Sequence, residues 1–377
     1  MNAIARYYMI GGFLGAGKTT AVAALAQHLT RRGERVGLIT NDQGSELVDT
    51  AMLRARGFAT EEIPGGCFCC RFNSLVDAAR KLTDATKPDA FVAEPVGSCT
   101  DLVATVSYPL RRIYGGHFRL APLSVLVDPI RAEQVFGLHA GRKFSDKVLY
   151  IWRKQVEESD VIVIAKTDLL DRGRREALHE RLAAEFPGKE IVHVSVRTGD
   201  GVDNWFRLLD TMSPGSAGAM QVDYDVYADG EALLGWLNAT VDIRSETEFD
   251  SSAILRVLAT EMKQALTDAE IAHLKMTFSP DQSLAGEIAA LSLVRSDVVP
   301  ELSLKLDAPV RAGQLIVNCR AETSPEELRR ALEHGVAALG RQFAELRARL
   351  EHVEQFRPGR PQPTHRLDRL EAVPLSA

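Results

Sequence analysis

Three groups of residues have the types and spacing to do chemistry. The first is Gly12-Phe13-Leu14-Gly15-Ala16-Gly17-Lys18-Thr19. It fits GxxxxGK[ST] and stands between an apolar strand pattern and a helical one, the context that this pattern requires. Glycines let the backbone curl so that successive N–H groups face inward, and the helix that follows adds a favourable dipole, so the loop is suited to clasp phosphate oxygens. Gly12, Gly15, Ala16, Gly17 and Thr20 are expected to line a nucleotide. Lys18 should reach the β- and γ-phosphates and assist catalysis, and the Thr19 hydroxyl should ligate Mg2+.

The second group is Val161-Ile162-Val163-Ile164-Ala165-Lys166-Thr167-Asp168, an apolar strand ending in Lys-x-Asp. At such a strand end in GTPases the carboxylate accepts from the guanine N1–H and exocyclic amine while the lysine stem lies along the ring; adenine would leave that carboxylate without partners. Lys166 and Asp168 are therefore candidate base-binding residues, and Ser195 lies one strand later where a second base loop would sit. Ala165 stands where the common pattern has Asn, which removes one side-chain contact. The third group is Gly65-Gly66-Cys67-Phe68-Cys69-Cys70. Thiolates crowded this closely suit a soft, tetrahedral ion such as Zn2+, with one ligand still to be found. Cys99 and Cys319 are read as structural.

These residues need a scaffold that brings loops together. β-rich runs at 7–10, 36–40, 59–63, 90–93, 123–127, 161–164 and 191–194 alternate with helical patterns, the signature of a mainly parallel, doubly wound sheet. A P-loop domain is expected over 1–212 and a linker of small residues over 213–222. Over 223–356 the order changes to strands flanked by two helices, which predicts a smaller α+β domain with an antiparallel sheet. Its last helix begins at Ser324-Pro325-Glu326-Glu327, a capping box with Pro in the first turn. Leu332, Val336, Leu339, Phe343, Leu346, Leu350 and Val353 continue in a four-three alternation, so the stripe past Phe343 is a candidate seam for a homodimer. The tail 357–377 reads as disordered.

The 377 residues carry 45 basic and 51 acidic side chains, a formal charge of −6. No basic field points to nucleic acid, and no apolar run is long enough to span about 30 Å of hydrocarbon. The N-terminus shows no ordered signal-peptide pattern, so neither nucleic acid nor membrane is expected as a partner, and the cytoplasm is the expected location. Three of the five cysteines fall within four positions, which is unlike a disulfide framework.

With Glu94-Pro95-Val96-Gly97, the phosphate loop and Gly-Gly-Cys-x-Cys-Cys resemble the CobW-type family of P-loop GTPases, over about the first 210 residues. That family is related to GTPases that help insert nickel into urease and hydrogenase, and its members are regarded as metallochaperones. The resemblance implies a transition-metal site at Cys67, Cys69 and Cys70. It places Glu94 and Gly97 where the second magnesium-associated acid stands, with Glu94 acting through water and as a catalytic helper. Asn41-Asp42-Gln43-Gly44, with Asp49 downstream, takes the place of the nucleotide-sensing segment, and Asp42 is the other catalytic candidate. Implied cofactors are GTP and Mg2+, with Zn2+, Co, Ni or Fe as the metal handled. The implied function is hydrolysis of GTP to GDP and phosphate, coupled to metal delivery to, or activation of, a client metalloenzyme or apo-protein. Two rivals stay open: an ATPase or kinase on the same fold, and a GTP-switched docking partner that carries no metal.

Overall fold

A computed structural model describes residues 4–41, 48–215, 218–281 and 287–369. Chain contacts divide it into one unit of residues 1–43, 58–227 and 360–377 and another of 44–57 and 228–359. The strands are β1 (Ala5–Gly12), β2 (Val36–Asn41), β3 (Ala59–Ile63), β4 (Ala90–Glu94), β5 (Phe118–Leu120), β6 (Ser124–Val127), β7 (Val161–Ile164), β8 (Glu190–His193), β9 (Leu234–Phe249), β10 (Glu270–Pro280), β11 (Ala289–Leu293), β12 (Glu301–Leu304), β13 (Val310–Glu322) and β14 (Leu346–Phe356). The helices are α1 (Lys18–Arg31), α2 (Val48–Ala55), α3 (Phe72–Thr86), α4 (Tyr108–Tyr114), α5 (Pro129–Phe136), α6 (Asp146–Glu158), α7 (Arg172–Glu185), α8 (Val202–Thr211), α9 (Tyr224–Leu233), α10 (Ser251–Ala265) and α11 (Pro325–Gln342). None among the described residues is long and apolar enough to cross a membrane.

β4, β6 and β7 are buried at every position, which is how strands read when helices cover both faces of a parallel sheet. The order is β3-β2-β4-β1-β6-β7-β8, all neighbours parallel, with β5 also pairing parallel to β1. β1 is central, so the loop leaving it lies between those leaving β4 and β6. In such sheets ligands bind beyond the carboxyl ends of the strands.

In the second unit six antiparallel strands run β12-β11-β10-β13-β9-β14. Leu237, Ala239, Leu274, Met276, Val317 and Cys319 point to one face and form its core with Leu255, Leu258 and Met262 of α10 and Leu328, Leu332 and Leu339 of α11. By alternation Asn238, Lys275, Asn318 and Arg320 point to the other face. There α2 docks: Lys275 Nζ lies 2.6 Å from Asp49 Oδ1, and the Val48 N–H donates to Asn318 Oδ1. The capping box at Ser324 and Glu327 is present.

Three expectations are corrected. α11 stops at Gln342, and Leu346, Leu350 and Val353 lie in β14, paired with β9. Leu346, Ala348 and Leu350 alternate with Arg347, Arg349 and Glu351, a period-two signal that here closes the edge of the sheet. The stripe offered as a dimer-forming helix is therefore a strand. The unit boundary falls at 227/228 rather than in the expected linker at 213–222. The tail expected to be disordered is, over 360–369, a strap on the first unit. Thr364 N–H donates to Cys69 O, Leu367 N–H to Ala104 O, and Arg366 Nε lies 2.8 Å from Asp101 Oδ2.

Beneath that strap, burial pushes the Glu158 carboxyl well above the usual carboxylate range, although it accepts from the Val103 N–H at 3.1 Å. The folded chain thus keeps a proton that the unfolded chain releases, so this group's contribution is greatest below the ordinary carboxylate pKa and is lost as pH rises through the folded one. Glu158→Gln, which cannot ionise, is expected to gain over the parent as pH rises. Urea denaturation at about pH 4.5 and about pH 7.5 checks this; an equal difference at the two pH values refutes it.

Candidate functional site

The phosphate loop folds as its glycines require. Gly12, Gly15 and Gly17 have φ of 133°, 79° and 100°, values that favour glycine. At Gly12 a Cβ would stand 2.5 Å from Leu126 O. Gly17 caps α1 in a left-handed conformation, so Lys18 and Thr19 open the helix, both buried. Thr19 Oγ1 donates to Glu94 Oε1 at 2.9 Å, which brings together the two residues expected around Mg2+. Ala16 is buried and Thr20 is exposed on the first turn of α1. Asp42, with Gln43 and Gly44, lies outside the described residues.

Gly97 is where the loop after β4 meets the phosphate loop: an added Cβ would lie 2.7 Å from Leu14 Cδ2 and 3.0 Å from Leu14 N. Gly97→Ala must push the two loops apart. A loss of about 1–3 kcal/mol of stability, together with weaker GTP binding, is expected from thermal melts and nucleotide titration; parental values in both would sink the claim.

Lys166 has φ 50°, a left-handed backbone that aims its side chain back over the phosphate loop. Its Nζ donates to Gly15 O at 2.7 Å and to Asp128 Oδ2 at 2.8 Å. Asp168 Oδ1 accepts from Ser195 Oγ at 2.7 Å, so the three expected base-site residues meet at the ends of β7 and β8. Asp128 was missed as a site residue. It ends β6 and caps α5 by accepting from the Arg131 N–H, and Val127-Asp128-Pro129 carries the signal, an N-cap followed by Pro at the first helical position.

The thiol turn follows β3. Gly65 and Gly66 have φ of 74° and 148°, curling the chain so that Cys67 to Cys70 lead into α3. Asn41, the last residue of β2, donates to Ile63 O and to Gly66 O at 2.6 Å, holding the turn against the sheet. The sulfurs of Cys67, Cys69 and Cys70 stand 2.7, 3.2 and 3.7 Å apart and form no disulfide. Three sulfurs bound to one Zn2+ at ~2.3 Å would be separated by about 3.7 Å, so the thiols, all within 4.8 Å of one another, could share one small soft ion if the closer pairs open slightly. Hydrogen bonds from Cys69 and Cys70 hold the Cys67 thiol well below the usual range, while the same bonds push Cys69 up and Cys70 up to about 11. The strap closes one side: the Gln362 N–H donates to Cys70 Sγ at 3.2 Å.

A phosphate loop, a Lys-x-Asp turn and the Glu94 carboxylate held by Thr19 at the carboxyl ends of one parallel sheet define a P-loop nucleotide-binding domain of the GTPase class. Residues 6–193 match the family described as CobW/HypB/UreG, nucleotide-binding domain, and over them the chain belongs to that family. The zinc chaperone YjiA of Escherichia coli (strain K12) is 29% identical over 208 residues, which are 53% of this chain and 61% of that protein. The zinc chaperone CobW of a Sinorhizobium species is 29% identical over 218 residues, 51% and 59% of the two chains. The chain thus spans about three-fifths of the length of these curated relatives. The crystal structure of the hydrogenase maturation factor HypB from Archaeoglobus fulgidus covers 55% of this chain and 90% of that one, at 20% identity and a TM-score of 0.37.

Proposed function

We propose that this protein binds GTP with Mg2+, hydrolyses it, and uses the nucleotide state to hold or hand over a transition metal, zinc first, to a client metalloenzyme. Lys18 and the amides of the phosphate loop bind the phosphates, Thr19 holds Mg2+ with Glu94 beyond it, and Lys166, Asp168 and Ser195 receive the guanine. Catalysis rests on electrostatic stabilisation and on placing the attacking water, for which Glu94 and Asp42 are the candidates. Cys67, Cys69 and Cys70 take the metal as cargo. Zinc is named first because relatives bearing this domain are zinc chaperones.

The observation that carries the reading is the wiring of one sheet. Thr40 of β2 is in register with Glu94 of β4, and Asn41 beside it is bonded to the thiol turn at Gly66. A change at the phosphates that shifts Glu94 or the end of β2 therefore acts within one or two residues of the sulfurs. The segment after β2 also supplies α2 to the second unit, which gives the client a surface on which the nucleotide state can be expressed.

Metal titration of the full chain with a non-hydrolysable GTP analogue, with GDP and without nucleotide tests the coupling. We expect metal affinity to differ between states by about fivefold or more, with an equal reciprocal effect on nucleotide affinity. Identical affinities would leave two unrelated sites and remove the proposal. A variant with Cys67, Cys69 and Cys70 all changed to Ser should lose the metal and keep GTP; full client activation by that variant would favour the docking-partner reading.

A further inference from the structure

Asp128 belongs neither to the phosphate loop nor to the Lys-x-Asp turn, yet it is bonded to the turn. Val127, the last residue of β6, is in register with Ile164 of β7, and the Ala165 N–H donates to Val127 O at 2.9 Å. That pairing sets Asp128 beside Lys166, whose Nζ lies 2.8 Å from Asp128 Oδ2. The carboxylate is 4% exposed and the lysine side chain 26%, and a charge withdrawn from water to that extent demands a partner. Asp128 itself has little freedom to move. Its Oδ1 accepts from the Arg131 N–H at 3.0 Å as the cap of α5, and Pro129 fixes the first helical residue behind it.

Lys166 is held in a shape that a lysine rarely adopts. Its φ of 50° lies in the left-handed region, where a side-chain-bearing residue persists only if its surroundings over-determine it. Those surroundings include two acceptors for Nζ, Gly15 O at 2.7 Å and the Asp128 carboxylate. On the way the stem passes Gly17, where an added Cβ would stand 3.6 Å from Lys166 Cε. The stem is thus laid over the phosphate loop by bonds at its ammonium. Ala165 next to it contributes only a methyl group where the common pattern has the Asn side chain.

We infer, resting on the guanine-binding reading above, that Asp128 is a positioning residue for the base: by holding the Lys166 ammonium it fixes the lysine stem as a wall for the guanine ring, and so supplies from β6 the tether that Ala165 lacks. Asp128 touches no part of the nucleotide and acts through Lys166. A carboxylate suits this task because a charge-assisted bond is about twice as strong as a neutral one, which keeps a long, flexible side chain from turning its head out to water. Loss of Asp128 is therefore a loss of base contact and leaves the phosphate contacts in place.

Asp128→Ser keeps an N-cap for α5 but is too short to reach Nζ, and Asp128→Asn keeps both cap and reach while removing the charge. These variants, Lys166→Met and the corresponding double variants are titrated as full chains with GTP·Mg2+ and, as a probe without a base, with inorganic triphosphate and Mg2+. Asp128→Ser is expected to weaken GTP binding by about tenfold, to change triphosphate binding by less than about twofold, and to add nothing further in the Lys166→Met background, because residues in one network are non-additive. Asp128→Asn should show the same pattern at smaller amplitude, and it carries the test if the serine variant does not fold. A role confined to capping α5 would weaken GTP and triphosphate alike and would persist undiminished without the lysine ammonium. That pattern, or GTP affinity within about twofold of the parent in both folded Asp128 variants, overturns the inference while leaving guanine binding untouched. A parent that binds GTP no more tightly than ATP overturns the guanine reading and this role with it.

Discussion

Lys18→Ala is expected to weaken GTP·Mg2+ binding by about 100-fold or more and to abolish measurable turnover, with little loss of fold. The lysine opens α1 with only 8% of its surface exposed, directly after the loop at which the negatively charged β- and γ-phosphates would gather. A preorganised charge in such a partly dry site is worth about 3–4 kcal/mol to the charge it meets, which is about two to three decades in affinity. The stability effect should be small by comparison: alanine is the best helix former and continues the first turn of α1, so the nucleotide-free melting temperature should stay within about 4 °C of the parent. Calorimetric titration together with melting curves separates the two effects. A GTP affinity within threefold of the parent would show that this loop does not hold phosphates.

The residues that a turn cannot do without were the most legible in the sequence. Gly12, Gly15 and Gly17 sit at positive φ, and their spacing alone signals a strand, a curled loop and a helix. Short, wholly apolar runs such as Val161–Ile164 likewise announced strands covered on both faces. What could not be read depended on distant partners. Leu346 to Val353 satisfy a helical stripe and a strand equally well for a few residues, and only pairing with β9 decides between them. The strap at 360–369 was misread because Pro, Arg and polar residues resemble disorder, whereas Arg366 ends against Asp101, which is 1% exposed.

α2 is a polar graft within the second unit. Its docking on the second unit uses polar groups: Lys275 against Asp49, and the Val48 N–H on Asn318, which in turn donates to Asn238. Polar docking of this kind holds one register while it is satisfied, and a group displaced from it costs about 1–3 kcal/mol. That is comparable to typical allosteric coupling energies.

Asp168→Asn tests the choice of base directly. The carboxylate ends the Lys-x-Asp turn with Oδ1 held by Ser195 Oγ at 2.7 Å and its side chain 19% exposed, so it is oriented yet still reachable. Guanine offers it two donors, the N1–H and the exocyclic amine, each worth about 1.5–3 kcal/mol to a charged acceptor. An amide keeps one acceptor and turns the other position into a donor, which then opposes the amine. GTP affinity should therefore fall by at least about 100-fold. Xanthine carries a carbonyl where guanine has that amine, so XTP should bind the variant better than GTP does, reversing the parent's order. Competition of GTP, XTP and ATP against a fluorescent guanine nucleotide gives all three affinities on both proteins. ATP binding the parent as tightly as GTP would show that Asp168 does not read the base, and the ATPase reading would take the place of the GTPase one. Ala165 sharpens the test: with alanine where the common pattern has Asn, selectivity for guanine falls more heavily on this one carboxylate.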